Sequence, residues 1–378
     1  MQSEVYINKA HFLSNLLTLR KVIGERPLLM AVLKANAYGH DLALISKICQ
    51  ESKLVDYLGV CEIKEALLLK KLKIKLPILV LSYTALEEDL YPFAISNGIE
   101  LALTDFSTAQ KLSRLALKIG KPAIIHLKLE TGLNRLGFRE KDLELLRKIS
   151  RLPYLEIKGV FSHLAAVEEK RYSYTEYQRR NFLEFIHRLK KEKIIKPEAL
   201  CHLAASAAAM VLEQTRFDLV RSGISLYGLY PSLEIKKILE QKNIKLLPVL
   251  SWETKVLALK NARKGETIGY GCTYKIEKPM VLAVLAVGYA DGYDRSLSNR
   301  GWVLIKGEKV PVVGRVAMNL TVVDVSKIKN HVKIGERAVL IGRDKNEEIS
   351  ADDLARWAKT INYEITTRIN WQIKRKLI

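Results

Sequence analysis

Over roughly the first 230 residues, short apolar runs alternate with amphipathic stretches. The runs Leu28–Leu33, Tyr57–Val60, Ile78–Leu81, Glu100–Leu103, Ala123–Leu129, Ile157–Ser162, Leu200–Leu203 and Asp218–Arg221 read as eight strands. Helical patterns such as Ile63–Leu72, Thr108–Lys118, Leu143–Ile149 and Tyr174–Lys191 lie between them, with Asp105 and Ser107 as N-cap candidates. Strand-then-helix units in this number predict an α/β fold opening with an N-terminal (β/α)8 TIM-type barrel. A doubly wound open sheet is the alternative, but it would normally carry a glycine-rich turn after its first strand, where this chain has K-A-N-A-Y-G. Near Pro231 the alternation stops, and a lysine-rich connection, Lys236 to Lys245, follows. From Leu247 onward, short valine-rich segments punctuated by glycine predict hairpins, with one late helix around Ala351–Lys359. The expected layout is therefore a barrel over residues 1–234 and a mainly β C-terminal domain over 235–378, with residues 1–8 available to pair with the latter.

Composition changes this picture little. The 378 residues are 48% hydrophobic and 27% charged, as in ordinary globular proteins. The net charge of +21 comes from 62 basic and 41 acidic residues. The basic residues are scattered over helical stretches and form no dense block, so we expect no nucleic-acid partner, although the field would favour an anionic ligand. Cys49, Cys61, Cys201 and Cys272 make no C-x-x-C pair and no zinc spacing, so no metal is expected and a reducing compartment is. Neither a signal-peptide pattern nor an apolar run of roughly 18 residues is visible, so we expect a cytoplasmic protein with no membrane partner.

Chemistry collects at the strand ends. In a barrel these form one mouth. Strand one ends at Lys34, where apolar surroundings of the stem would lower the ammonium pKa and suit Schiff-base chemistry. Strand five carries Lys128, with Arg135 in the loop after it, and strand six ends at His163. Strand seven ends in C-H-L-A-A-S, with His202 and Ser206, and strand eight in Arg221 followed by Gly223 and Ile224. Ser206 opening a helix, with Gly223 and Ile224 in the next loop, suggests a phosphate site. An amine-bearing mouth with a phosphate site suggests pyridoxal 5'-phosphate, whose ring acts as an electron sink at a substrate Cα. No acid stands out as a partner for the ring nitrogen. Arg221 is placed to face it instead, which would keep that nitrogen unprotonated and favour fast proton transfer over reactions needing a long-lived carbanion.

The motifs A-V-L-K-A-N-A-Y-G-H, H-L-K-L-E-T-G-L-N-R-L-G-F, G-V-F-S-H-L-A, H-L-A-A-S-A-A, V-R-S-G-I-S-L-Y-G-L-Y-P, I-G-Y-G-C-T-Y, V-G-Y-A-D-G-Y-D-R, V-G-R-V-A-M-N and T-I-N-Y-E-I run in order across nearly the whole chain. In them the chain resembles the alanine racemases, pyridoxal-phosphate enzymes of fold type III. The resemblance implies interconversion of L- and D-alanine by two bases, supplying D-alanine for peptidoglycan. Lys34 would be one base and Tyr270 the other, Tyr270 reaching the site from the partner subunit of a homodimer. A tyrosine of pKa ~10 needs help to act as a base, and His163 would link it to Arg221. The resemblance further assigns Tyr38, Ser206, Gly223, Ile224 and Tyr363 to the phosphate, and Arg135 to the ring hydroxyl and substrate. It assigns Tyr289 and Met318 to the substrate pocket, and Lys128 to a lysine carbamylated in some members.

Three positions depart from the family pattern: Ala205 for asparagine, Asn319 for aspartate and Asn134 for glycine. They bear on rate and substrate range rather than on reaction type. Three rivals are less well supported. A single-barrel pyridoxal-phosphate homeostasis protein would end near residue 235, and a decarboxylase of the same fold type would place an acid at the ring nitrogen. A nucleic-acid binder rests on charge alone. A racemase for serine or a broader set of amino acids is not separated from one for alanine.

Overall fold

The structure is a computed structural model and describes residues 3–169 and 172–378. It divides into two compact units. One takes in residues Phe12–Ala37 and Leu42–Leu247, the other the N-terminal residues through His11, Tyr38–Asp41 and Pro248–Ile378.

Strand β1 (Glu4–Ile7) belongs to the second of these units, and the next eight strands form the barrel of the first. They are β2 (Leu28–Val32), β3 (Tyr57–Val60), β4 (Ile78–Val80), β5 (Glu100–Leu103), β6 (Ala123–Lys128), β7 (Leu155–Phe161), β8 (Leu200–His202) and β9 (Leu219–Ser222). All pair in parallel, in the order β8-β7-β6-β5-β4-β3-β2-β9. The Asp218 N–H donates to Cys201 O at 3.0 Å and the Arg221 N–H to Ala204 O at 3.0 Å, which brings the two ends of the sheet together. The expected strands are present, with ends moved by one or two residues. Continuous apolar runs become buried parallel strands because helices cover the barrel's outer face.

Helix boundaries follow local chemistry. The Asp105 side chain accepts the Thr108 N–H at 2.8 Å and caps Phe106–Ile119. Ser107, the other candidate cap, lies inside that helix and donates its hydroxyl to Asp105 Oδ1 at 2.8 Å. The supposed connection after Pro231 is largely a helix, Leu233–Gln241, capped by Ser232. Its lysines point outward while Ile235 and Leu239 are buried, a stripe hidden by the lysine-rich composition.

In the second unit β1 pairs antiparallel with β10 (Leu250–Ala262). On its other edge it lies parallel to the C-terminal strand Arg375–Leu377. The long β10 shifts register twice, at Trp252/Glu253 and Val256/Ala258, and these irregularities let one strand serve two sheet faces. Trp252 packs edge-on to Tyr293 with ring centroids 6.1 Å apart, and both are fully buried. A smaller cluster of Ala262, Ile268, Ile276, Met280, Leu282 and Val313 pins the hairpin β11 (Thr267–Ile268) and β12 (Tyr274–Lys275). The late helix is present at Ala351–Ala358, and a second, Asn362–Thr367, follows it.

Candidate active site

The chain after β2 does not continue as ordinary coil. Ala35, Asn36, Ala37 and Tyr38 all have φ of +54°, a single left-handed turn. Such a turn costs about 1–2 kcal/mol per residue for L-amino acids. Three hydrogen bonds offset the cost. The Ala37 N–H donates to Leu33 O at 2.7 Å, the Ala35 N–H to Glu65 Oε1 at 2.8 Å, and the Leu42 N–H to Asn36 Oδ1 at 2.7 Å. Lys34 stands where the strand gives way to this turn. Contrary to the expected apolar surroundings, its side chain is exposed, because the turn swings residues 34–36 out of the strand's packed environment.

Arg221 is the centre of the barrel mouth and is only 4% exposed. Its Nη1 donates to His202 O and to His202 Nδ1, both at 2.9 Å. Its Nη2 donates to Ser162 O at 2.7 Å and Leu203 O at 3.0 Å, and reaches His163 Nδ1 at 3.5 Å. The last contact is the weakest of three that share two hydrogens. Burial pushes the Arg221 pKa down to about 9, which still leaves the group charged at neutral pH. The face of Phe161 lies 5.4 Å from the guanidinium and 5.8 Å from Lys128 Nζ.

Around His163 the cations converge. Burial first, then the positive charges of Arg221, Arg135, Lys34 and Lys128, push its pKa down to about 3. One imidazole thus senses four of the cations that the strand ends were expected to deliver. Lys128 is buried and held to about 8, by burial and then by Arg135 and Arg221. Among the described residues it forms no ion pair.

Arg135 is exposed on a loop wound around the Glu130 carboxylate, which accepts the Gly132 N–H at 2.6 Å and the Arg135 N–H at 3.1 Å. Burial would raise the Glu130 pKa, but backbone N–H groups from Asn134, Gly132, Arg135 and Leu133 outweigh it and hold it low. Asn134, where the family pattern has glycine, sits at φ +55°, a conformation asparagine tolerates better than most residues. Ser206 begins a six-residue helix, and its Oγ accepts the Gly223 N–H at 2.8 Å. The structure therefore joins the two expected phosphate loops directly, with Ile224 next in the chain and buried. At the cap position Ala205 offers no side-chain acceptor. The sequence reading passed over Glu65 and Glu130. Each lies a few residues from a motif lysine or arginine, but nothing in the pattern says that its carboxylate folds back onto the backbone.

The remaining candidates lie in the second unit. Tyr38 and Tyr363 approach with ring centroids 6.1 Å apart. Tyr270 projects from a tight turn whose neighbours Gly269 and Gly271 have φ of +67° and +70°. A side chain at Gly271 would press on the Arg315 guanidinium, 2.8 Å from its Cβ position. The Tyr289 N–H donates to Ala317 O at 3.0 Å and the Ala290 N–H to Met318 O at 2.9 Å, so the two expected pocket residues share one loop pair. Gly288 makes that approach possible, since its Cβ position lies 2.3 Å from Ala317 O. Tyr270, Tyr289 and Met318 are all exposed, at 72%, 42% and 56%.

A mouth of this kind, with an exposed amine and a buried guanidinium, belongs to a known lineage. Residues 7–231 match the alanine racemase N-terminal domain, and residues 249–377 match the alanine racemase C-terminal domain. The chain belongs to the alanine racemase family. Alanine racemase 2 of Caldanaerobacter subterraneus subsp. tengcongensis is 36% identical over 375 residues, 99% of this chain and 94% of that protein. The alanine racemase of Methanococcus maripaludis is 37% identical over 364 residues, 96% of this chain and 95% of its own length. Among solved structures, the Bacillus anthracis alanine racemase with bound L-Ala-P superimposes with a TM-score of 0.92 at 34% identity, covering 100% of this chain and 95% of that one. The Bartonella henselae alanine racemase, solved with covalently bound pyridoxal phosphate, gives 0.85 at 27% identity, covering 100% of both. Alanine racemases are pyridoxal-phosphate-dependent isomerases that interconvert L- and D-alanine, and this chain is an amino-acid isomerase of that family.

Proposed function

We propose that this chain binds pyridoxal 5'-phosphate through Lys34 and racemises alanine between two bases, Lys34 and Tyr270. The observation that carries the reading is the buried Arg221 guanidinium, hydrogen-bonded at the barrel mouth to His202 and Ser162 and reaching His163, on the strand next to the one that leads to Lys34. That donor set fits the cofactor. An exposed primary amine suits an aldehyde, and a concentration of positive charge suits a phosphate and a phenolic oxygen. When bound, the group supplies the electron sink that makes the substrate Cα–H acidic. The protein supplies everything else. Lys34 Nζ holds or moves a proton on one face of Cα, and the Tyr270 hydroxyl does so on the other. Arg221, charged at neutral pH, would face the ring nitrogen and keep it from taking a proton. His163 Nδ1 lies 3.5 Å from Arg221 Nη2, and His163 would link that arginine to Tyr270.

Ser206, Gly223, Ile224, Tyr38 and Tyr363 would hold the phosphate, and Arg135 the ring hydroxyl and substrate. Tyr289 and Met318 would confine the substrate side chain. For Lys128 we favour carbamylation. Its low pKa leaves much of the amine neutral at slightly alkaline pH, and the neutral amine is the form that adds carbon dioxide. We take the working molecule to be a cytoplasmic homodimer in which each Tyr270 serves the partner's Lys34, supplying D-alanine for peptidoglycan. No helix of the described residues is long and apolar enough to cross a membrane.

Lys34→Ala is expected to abolish both the visible absorbance of the loaded protein and racemisation. Retention of both by that variant would defeat the reading. Tyr270→Phe is expected to keep the absorbance and lose racemisation in both directions, since an equilibrium constant of one ties the two together, while Lys34 still exchanges the Cα hydrogen of D-alanine with deuterated solvent, as read by proton NMR.

A further inference from the structure

Inward-facing layers of a (β/α)8 barrel are ordinarily apolar. Here a chain of polar side chains runs through them. Glu100 at the start of β5 is 2% exposed, and His126 in β6 and His202 at the end of β8 are fully buried. His202 Nδ1 meets Arg221 at 2.9 Å, His202 Nε2 meets His126 Nδ1 at 2.9 Å, and His126 Nε2 meets Glu100 Oε2 at 2.8 Å. Glu100 Oε1 accepts from Lys158 Nζ at 2.6 Å and from the Tyr57 hydroxyl at 3.4 Å. Tyr57 and Glu100 open β3 and β5, whereas His202 ends β8 and Arg221 is the last residue but one of β9. The chain therefore spans the barrel from its floor to its mouth.

One end decides where every proton lies. The guanidinium does not give up a hydrogen, and the two on Nη1 go to His202 O and His202 Nδ1. His202 Nδ1 is thus an acceptor, so its hydrogen is on Nε2. That hydrogen points at His126 Nδ1, which must accept, so the His126 hydrogen is on Nε2 and is given to the Glu100 carboxylate. The reverse polarity would set two N–H groups against each other at Arg221. A half-satisfied buried network of this kind would cost several kcal/mol, and this one is satisfied at each link.

The backbone makes room for it. Gly159 of β7 is in register with His126, and its Cβ position lies 2.4 Å from His126 Nδ1, so no other residue fits there without moving the imidazole. Between Ile125 and His126 the β6–β7 register shifts. His202 is stacked on Phe161 at 4.9 Å.

We propose that Glu100 is a positioning residue for Arg221, acting through His126 and His202 to hold the charged guanidinium in place at the barrel mouth. The proposal rests on the reading that Arg221 faces the cofactor ring nitrogen, and it extends that reading to the floor of the barrel. A carboxylate accepting from an imidazole makes the opposite ring nitrogen a better acceptor, and the effect passes along aligned bonds. Two imidazoles away, His202 Nδ1 therefore binds the Arg221 hydrogen more strongly. The stronger bond fixes the orientation of a guanidinium that is only 4% exposed. An acid does serve this arginine, but at a distance that would leave the cofactor's ring nitrogen next to a cation.

Nitrogen-15 NMR of histidine-labelled protein tests the chain directly, with or without cofactor. In the wild type both His126 and His202 are expected as neutral rings with the hydrogen on Nε2. An Nδ1–H form at either ring, or a doubly protonated His126, would overturn the proposal. Glu100→Gln, near-isosteric but uncharged, should scramble the tautomers and lower kcat about ten-fold with KM within about two-fold, the scale of losses seen when an outer-shell partner is removed. Gly159→Ala should do the same without touching any charge, by displacing His126. Should both variants fold, as judged by circular dichroism, and keep wild-type tautomers and kcat, Glu100 has no positioning role. If instead the chain takes up no cofactor at Lys34 while the wild-type tautomers are as stated, the functional reading fails and the relay stands.

Discussion

His163 is the most heavily burdened residue of the barrel mouth. Burial and four surrounding cations hold its pKa near 3, against an ordinary 6.5. The folded chain therefore keeps it neutral in conditions where the unfolded chain has already taken up a proton. Below about pH 6.5 the unfolded state binds more protons, so stability falls as pH drops from about 6.5 toward 3, and no contribution of this kind remains above that window. His163→Asn should flatten this limb of the stability curve. Denaturant midpoints at a series of pH values from 4 to 8 would measure it, and an unchanged acid limb would mean that other groups govern it. Lys34, Lys128 and Arg221 were legible as candidates because a cation at the end of an apolar run is conspicuous. Glu100, Glu65 and Glu130 were not, because an isolated acid in a sequence is almost always a solvated one.

At the scale of the element, the left-handed turn of residues 35–38 is the least expected feature. A run of Ala, Asn, Ala and Tyr carries no glycine to announce positive φ, and local preference argues against it. A tertiary hydrogen bond to Glu65, and a local one from the Leu42 N–H to Asn36, override that preference. The turn closes on Gly39, at φ +84°, whose Cβ position lies 2.0 Å from Thr366 O. Gly39→Ala is therefore expected to destabilise the protein by about 2 kcal/mol or more, from backbone strain together with the steric clash. Urea unfolding would read the loss. A variant as stable as the wild type would mean that the turn relaxes at no cost. The parallel strands, by contrast, were located to within one or two residues. Their apolar runs are bounded by polar or helix-forming sequence, and a strand buried on both faces tolerates little else.

For the whole molecule the question is where the second base acts. Tyr270, Tyr289 and Met318 belong to the unit that does not contain Lys34, and all three stand exposed on it. Exposed large apolar side chains suit an interface, and in the proposed homodimer a two-fold pairing would present each set to the other copy. Mixing Lys34→Ala with Tyr270→Phe protein, after dissociation and reassociation, should restore activity. Random pairing makes half the dimers hybrid, each with one intact site, so recovery should approach about a quarter of the wild-type rate. No recovery, with hybrids demonstrated by mass, would place both bases on one chain.

By itself the sequence determined the barrel, its strands, the following β unit, the family, and which candidate residues stand at strand ends. These are properties of period, composition and ordered motif, which survive in one dimension. Tertiary structure alone decided that Lys34 is exposed, that Asn134 stands in a left-handed position, and that Ser206 and Gly223 meet. It also decided that Glu100, His126, His202 and Arg221 form one directed line of hydrogen bonds. Those depend on which strands lie side by side and in what register. A glycine such as Gly159 acquires its meaning only when an imidazole from the neighbouring strand takes up the space its side chain would fill.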